Sequence, residues 1–343
     1  MKQIYKFIRL ILLIVTSVVM IWGLLNMSLV EYGWSQLKGQ VKIVWNAKPL
    51  DEIMNDPNFP DSLKEKIRFI DIIANYAQDS LGLNRSKNYK TLFDEKGKAI
   101  LWTITACDKY DFKPYQWKFP ILGSVSYKGF FNYLQGFVED SILQSQGYDT
   151  DYGEVSAWST LGWFKDPILS NMLSKTEGQL AELIIHEMTH ATVYLKSNVD
   201  LNENLASMIG EEGALRFLAS HFGKDSKQLN DYKARKSDYD LFTRYMLLSH
   251  DRLDSLYNKI STFPLSEKEI LKRTVINEII VGLDSIQFQK PKRYSKLFSE
   301  RKPNNAYFMN FVRYDSQKDE MKKNLNDKYN GNIEVYLKAM RKQ

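Results

Sequence analysis

The sequence has one cysteine, Cys107, and four histidines in 343 residues. A single thiol excludes an intramolecular disulfide, a cysteine-based zinc cluster and an iron–sulfur site. No acidic residue precedes Glu31, and no formal charge interrupts Leu10 to Val30. No Pro-, Gly- or Ser-rich linker and no internal repeat divides the remainder. Charge of one sign is also scarce. The net charge is +6, and Lys2, Lys6 and Arg9 supply three of those charges. The mild surplus left on a mixed-sign chain excludes a nucleic-acid footprint. Hydrophobic residues are 44% and aromatics 13%. Such a chain can bury a sizeable core, which excludes disorder, collagen and a coiled-coil rod.

The charge-free stretch from Leu10 to Val30 is 21 residues long. As a helix it spans roughly 30 Å, the hydrocarbon thickness of a bilayer. It is longer than a signal-peptide apolar region, and Leu24 to Ser28 offer no small-residue cleavage pattern and no lipobox cysteine. It reads as a single uncleaved anchor in the inner (cytoplasmic) membrane. Lys2, Lys6 and Arg9 keep the N-terminus in the cytoplasm and put the rest of the chain on the periplasmic or extracellular side. Trp22, Tyr32 and Trp34 are expected near the far interface.

Beyond the anchor, residues 62–80 carry apolar side chains at helical spacing, with Asp61 or Ser62 as cap. Residues 99–106 read as a strand, 119–131 as a strand and turn leading into a helix through about 145, and 154–164 as extended chain. From Glu177 the pattern is helical almost to the end. Residues 223–240, charged and punctuated by Gly and Ser, read as a mobile connection. Segments 241–262 and 265–287 read as a helical hairpin with Pro264 near its turn, and 320–343 as a solvated helix.

The segment that carries chemistry is His186-Glu187-Met188-Thr189-His190, an H-E-x-x-H pattern that holds two of the four histidines. Four residues apart on a helix, both imidazoles lie on one face and can share a metal ion, with Glu187 as general base toward a metal-activated water. Ser174 to Glu177 can cap that helix. A catalytic zinc needs a third protein ligand. If the helix runs on to Tyr194 or Lys196, a turn at Ser197, Asn198 and Asp200 can fold a second helix back from Asn202 and bring Glu203 to the metal. Glu211 and Glu212 are the competing ligands, Glu203 the favoured one. Asp200 or Asn202 can serve as hydrogen-bond partners of a ligand histidine. His221 and His250 are candidates for a proton donor or oxyanion stabiliser.

This arrangement resembles the gluzincin zinc peptidases, which pair H-E-x-x-H with a Glu in an N-E-x-x-A-like motif. More narrowly, the chain resembles the bacterial family of putative aminopeptidases of the cell envelope. The resembling stretches are Gly39-Gln40, Trp117 through Gly123, Tyr127 through Phe131, Ser159 through Phe164, Leu180 through His190, Asn202-Glu203, and Asn304-Asn305-Ala306 with Tyr314. They cover nearly everything after residue 31. Two departures are plain: no lipobox cysteine, and Lys118 where the family pattern tends to have cysteine.

The resemblance implies an α+β, mainly α, zincin-like fold with a small antiparallel sheet and a helical C-terminal region. The apolar run sets an anchor over 1–30, and the resemblance implies a peptidase domain over 31–343, with a catalytic core of about 95–222 and a helical part of about 223–343. It further implies a zinc-dependent peptidase, an aminopeptidase, acting on peptides. His186, His190 and Glu203 would hold Zn2+ and Glu187 would be the base. Tyr314, and after it His250, would stabilise the oxyanion, and Ser159, Thr160, Leu161 and Gly162 would align substrate as an edge strand. An aminopeptidase also needs an acid for the substrate's ammonium, and the chain has no G-x-M-E-N element. The alternative is a non-catalytic peptide-binding or scaffold protein of the envelope with a structural or vestigial metal site. Such a site has no use for Glu187.

Overall fold

The computed structural model describes residues 2–119, 123–155, 165–195, 198–294 and 296–341. The architecture is α+β and mainly helical. Helix α1 (Lys2–Leu25) runs into α2 (Met27–Asn46), followed by β1 (Lys48–Pro49), α3 (Leu50–Asn55) and α4 (Asp61–Leu81). Then come β2 (Thr91–Phe93), β3 (Trp102–Asp108), the hairpin β4 (Trp117–Phe119) and β5 (Gly123–Val125), and β6 (Tyr127–Phe130). Next are α5 (Tyr133–Ser145), β7 (Tyr148–Glu154), β8 (Ile168–Leu169), α6 (Glu177–His190) and α7 (Val199–His221). Five helices close the chain: α8 (Lys227–Lys259), α9 (Leu265–Gly282), α10 (Asn305–Asp315), α11 (Lys318–Tyr329) and α12 (Ile333–Met340).

Gln3–Leu25 is long and apolar enough to cross a membrane, and none of it is buried. Helix α2 attaches this segment to the body. The Tyr32 hydroxyl and the Gln36 amide both donate to the Gly129 carbonyl, at 2.9 and 3.1 Å. At Gly39 the Phe131 ring occupies the space that a Cβ would need. Tyr32 therefore packs on the sheet, its ring 5.6 Å from those of Phe119 and Phe130. Trp22 and Trp34 are exposed.

Among the described residues, three small sheets stand where a single antiparallel one was expected. The strand order β6-β3-β7 is antiparallel, β4-β5 is a hairpin, and β1-β2-β8 includes a parallel pair between β2 and β8. Strand β3 begins three residues later than the sequence pattern implied. Its partner β7 (YDTDYGE) shows no apolar alternation and was not anticipated. The strand is held by its register against β3 from Trp102↔Glu154 to Asp108↔Tyr148.

The main core is built by α4, α6, α7, α11 and α12, and a second core by α8, α9 and α10. The region 223–240 is not a mobile connection. It opens α8, a 33-residue helix capped by Ser226. The buried Asp238 carboxylate accepts the Gln289 and Lys290 N–H groups at 2.7 and 2.9 Å. Its charges read as solvent-facing because their partners are remote in sequence. The C-terminal stretch is likewise not one solvated helix. Asn330 and Gly331, both at positive φ, break it in two, and Met321, Leu325, Ile333, Tyr336 and Leu337 join the main core. Helix α4 is preceded by Pro60 rather than capped by Asp61 or Ser62.

The closest packing lies between α6 and α7. A Cβ on Gly210 would stand 2.9 Å from the Glu182 carbonyl and 3.2 Å from the His186 Cβ. One on Gly213 would meet Ile185 at 2.8 Å. An ordinary Gly→Ala change inside a helix gains about 0.5–1 kcal/mol. Here Gly210→Ala must force the helices apart and is expected to cost about 1–3 kcal/mol by denaturant unfolding. A variant as stable as the parent would show that the close approach is dispensable.

Candidate functional site

Helix α6 begins at Thr176, whose hydroxyl accepts the Gln179 N–H, two residues later than the cap expected at Ser174. Leu180, Ala181, Ile184, Ile185 and Met188 are buried against the core. That leaves Gln179, Glu182, His186 and His190 on the opposite stripe, one or two turns apart. The helix stops at His190, several residues short of the expected end, and the Thr189 and Thr192 hydroxyls bond back to Ile185 and Met188. The reversal that follows is closed by Asn202. Its side chain accepts the Leu195 N–H and donates to the Leu195 carbonyl, both at 2.8 Å. Asn198 caps α7 at Leu201. Glu203, next to the residue that closes the turn, thereby faces the two histidines.

The three side chains converge. His186 Nε2 and His190 Nε2 are 3.1 Å apart, and Glu203 Oε2 stands 3.5 and 3.4 Å from them. Ligand bonds of roughly 2.0–2.1 Å in a tetrahedral site put ligand atoms about 3.3 Å apart. The triangle therefore has the size of three corners of such a site, and its nitrogen and carboxylate donors suit a divalent cation. Burial opposes charge on Glu203, yet the two imidazoles hold its carboxyl well below the usual range. Burial likewise works against His186, but Glu203 and Glu187 outweigh it and raise the imidazole.

The triangle lies in a cavity of about 730 Å³ walled by α6, the β3–β7 sheet, α8 and α10. Glu187 lines it, and its carboxylate makes no hydrogen bond or ion pair among the described residues. Tyr314 lines the same cavity. Burial and then Glu203 push its hydroxyl above the ordinary tyrosine value. Tyr127, to which the sequence assigned no role, faces the site from β6. Burial, then the charge of Glu203, lifts it to about 12. An aromatic residue in a strand reads as core, so Tyr127 was marked only as the start of a resembling stretch. Arg313, Asp151, Glu182, Lys175 and Arg235 were missed for the same reason: their shared wall exists only in the folded chain.

Other candidates lie elsewhere. Glu211 binds Lys236 and Lys318, both at 2.6 Å, and Glu212 binds Lys322. Both competing acids are thus committed to ion pairs. His250 contacts Asp251 at 2.9 Å and lies against Phe112, away from the cavity, so it does not stand where an oxyanion donor must. His221 packs among Phe69, Phe217 and Phe222. Neither Asp200 nor Asn202 reaches a histidine. Asp200 is 3.7 Å from Arg313, Asn202 is spent on Leu195, and the buried His190 Nδ1 has no partner among the described residues. Ser159, Thr160, Leu161 and Gly162 lie outside the described residues.

Helix α10 reaches the site through Asn304-Asn305-Ala306. Asn304 caps it and donates to the Thr150 carbonyl at 2.8 Å. The fully buried Asn305 accepts from the Tyr257 hydroxyl and donates to the Asp108 carbonyl, at 2.7 and 2.9 Å. The family model described as putative aminopeptidase matches residues 31–343. The chain belongs to that family. No curated protein and no solved structure matches it. In the structure, residues of three of the resembling stretches act in placement: Gly39 admits Phe131, Asn202 closes a turn, and Asn305 seats α10. Membership favours a peptidase hydrolase.

The buried charge network offers a direct check. Glu211→Ala leaves Lys318 and Lys236 short of a counter-charge and is expected to cost about 3 kcal/mol in urea unfolding. Glu212→Ala exposes only the half-exposed Lys322 and should cost less than about 1 kcal/mol. Equal effects would refute this ranking.

Proposed function

We propose that the protein is a membrane-anchored, zinc-dependent aminopeptidase. The observation that carries the reading is the 3.1–3.5 Å triangle of His186, His190 and Glu203 in one cavity with the Glu187 carboxylate, which has no partner among the described residues. His186 and His190 would hold the metal through Nε2 and Glu203 through Oε2. When bound, zinc supplies Lewis acidity, polarising a carbonyl and acidifying water. Glu187 takes a proton from the attacking water at its carboxylate and passes it to the leaving amine as the C–N bond breaks. The Tyr314 hydroxyl donates to the developing oxyanion, with Tyr127 as a second donor. Lifted hydroxyl values keep both tyrosines protonated and able to donate. Glu154 on the cavity wall is an acid available to a substrate ammonium, beside Asp151, which is shared with Arg301 and Asn310.

The apolar α1 would hold this domain at the inner membrane, with the positive N-terminal flank on the cytoplasmic side and the cavity on the other.

The test is elemental analysis of the full chain in detergent, with peptide hydrolysis measured beside it. The parent should carry about one zinc per chain, and His186→Ala none. Glu187→Gln should retain the metal and lose hydrolysis by at least about 10²-fold. Tyr314→Phe should also retain the metal, with kcat down about 10²-fold. A parent that takes up no metal when zinc is supplied, or a Glu187→Gln variant as fast as the parent, overturns the reading.

A further inference from the structure

The cavity that holds the His186–His190–Glu203 triangle is not symmetric in charge. At the N-terminal end of α6 it is lined by Lys175, just before the helix, and by Arg235 from α8. Both cations are half-buried, and neither has a carboxylate within ion-pair distance among the described residues. The acids nearby are otherwise disposed. Glu177 is engaged by Lys66 at 2.9 Å. Glu182 accepts the Tyr232 hydroxyl at 3.1 Å and lies beyond ion-pair reach of both cations. The Arg235 guanidinium has one neutral partner, the Gln179 side-chain oxygen at 2.8 and 3.2 Å when the Gln179 nitrogen faces the Thr176 hydroxyl. Burial and the charge of Arg235 destabilise the Lys175 ammonium, and burial and Arg293 destabilise Arg235. Two desolvated cations with no carboxylate within ion-pair distance, offset only by the more distant charge of Glu182, are costly to fold unless a ligand supplies the missing charge.

We propose that Lys175 and Arg235 dock the C-terminal carboxylate of a short peptide whose scissile bond lies at the other end of the cavity, beside Glu187. The inference rests on the peptidase reading and names its substrate class. Length follows from the helix. Gln179, at the level of Arg235, precedes His186 by seven residues, about 10 Å along the axis. An extended peptide covers roughly 3.3–3.6 Å per residue. Two or three residues therefore separate the cleaved bond from the carboxylate, and the substrates are tri- and tetrapeptides. A guanidinium beside an ammonium suits a carboxylate, which accepts on both oxygens. A cavity of about 730 Å³ has room for a chain of that length.

The experiment uses the zinc-supplied full chain and a mixed library of tri- and tetrapeptides, prepared as free acids and as C-terminal amides and read by mass spectrometry. The free acids should be cleaved at least about 10-fold more efficiently, through KM rather than kcat, because a charge-assisted hydrogen bond is lost in the amide. In Lys175→Met and Arg235→Met the acid-to-amide ratio should fall toward one. Equal cleavage of acids and amides by the parent overturns the carboxylate site while leaving the peptidase reading intact. That comparison needs no variant to fold. Variants that lose both substrate forms equally overturn it as well, because a structural role moves both. A parent that cleaves neither form overturns the peptidase reading and this inference with it.

Discussion

The close antiparallel approach of α6 and α7 is the constraint on which the site depends. An H-E-x-x-H helix alone presents two imidazoles to solvent. A third ligand has to come from a different element, held within a few tenths of an ångström of the right separation. Gly210 and Gly213 remove the side chains that would keep the helices apart, and Asn202 ties the reversal between them at Leu195. Glu203 follows directly from that tie. The neighbouring Asn204 extends it outward, donating to the Arg313 carbonyl and accepting from the Gln317 N–H, at 2.6 and 2.8 Å. One turn of α7 thus registers both the histidine helix and the helix that carries Tyr314.

Charge is partitioned around this frame. On the far side of α7, Glu211 and Asp315 share Lys318, a buried network that clamps the C-terminal helices to the core. It raises the Lys318 ammonium far above its ordinary value against the penalty of burial. On the cavity side, Glu187, Lys175 and Arg235 have no ion-pair partner among the described residues, and Arg235 has only the neutral Gln179. The buried acids without a cation, such as Asp238, are held by backbone N–H groups instead, so the cavity is where charged side chains without an ion-pair partner among the described residues gather. The same economy explains why neither Glu211 nor Glu212 competes for the triangle, since each is already neutralised.

Legibility in the sequence followed the range of the interactions. The apolar N-terminal run, the helix at 61–81, the start of α6 and the turn at Pro264 depend on local periodicity and were readable to within a few residues, whereas the first helix of the hairpin begins at Lys227 rather than at 241. Strand β7 was not, because YDTDYGE has no alternation and is held by its partner β3. The 223–240 stretch was misread for a related reason. Lys236 and Asp238 look solvated until Glu211 and the Gln289–Lys290 backbone are brought beside them. Similarly, the C-terminal Lys-rich segment hides a buried stripe that only α4 and α7 can cover.

What the sequence by itself determined is the local chemistry. It specified an apolar segment of membrane-spanning length, a helix with two histidines one turn apart and an acid between them, and family membership over residues 31–343. It also marked Glu203, by a motif rather than by geometry. Only the tertiary structure decided which acid faces the histidines, that His250 does not, and that Tyr127, Arg235 and Lys175 share their cavity. The physical reason is that helical periodicity is written in neighbouring residues. A cavity wall is written in the packing of α6, α7, α8, α10 and a sheet whose contributions lie up to two hundred residues apart.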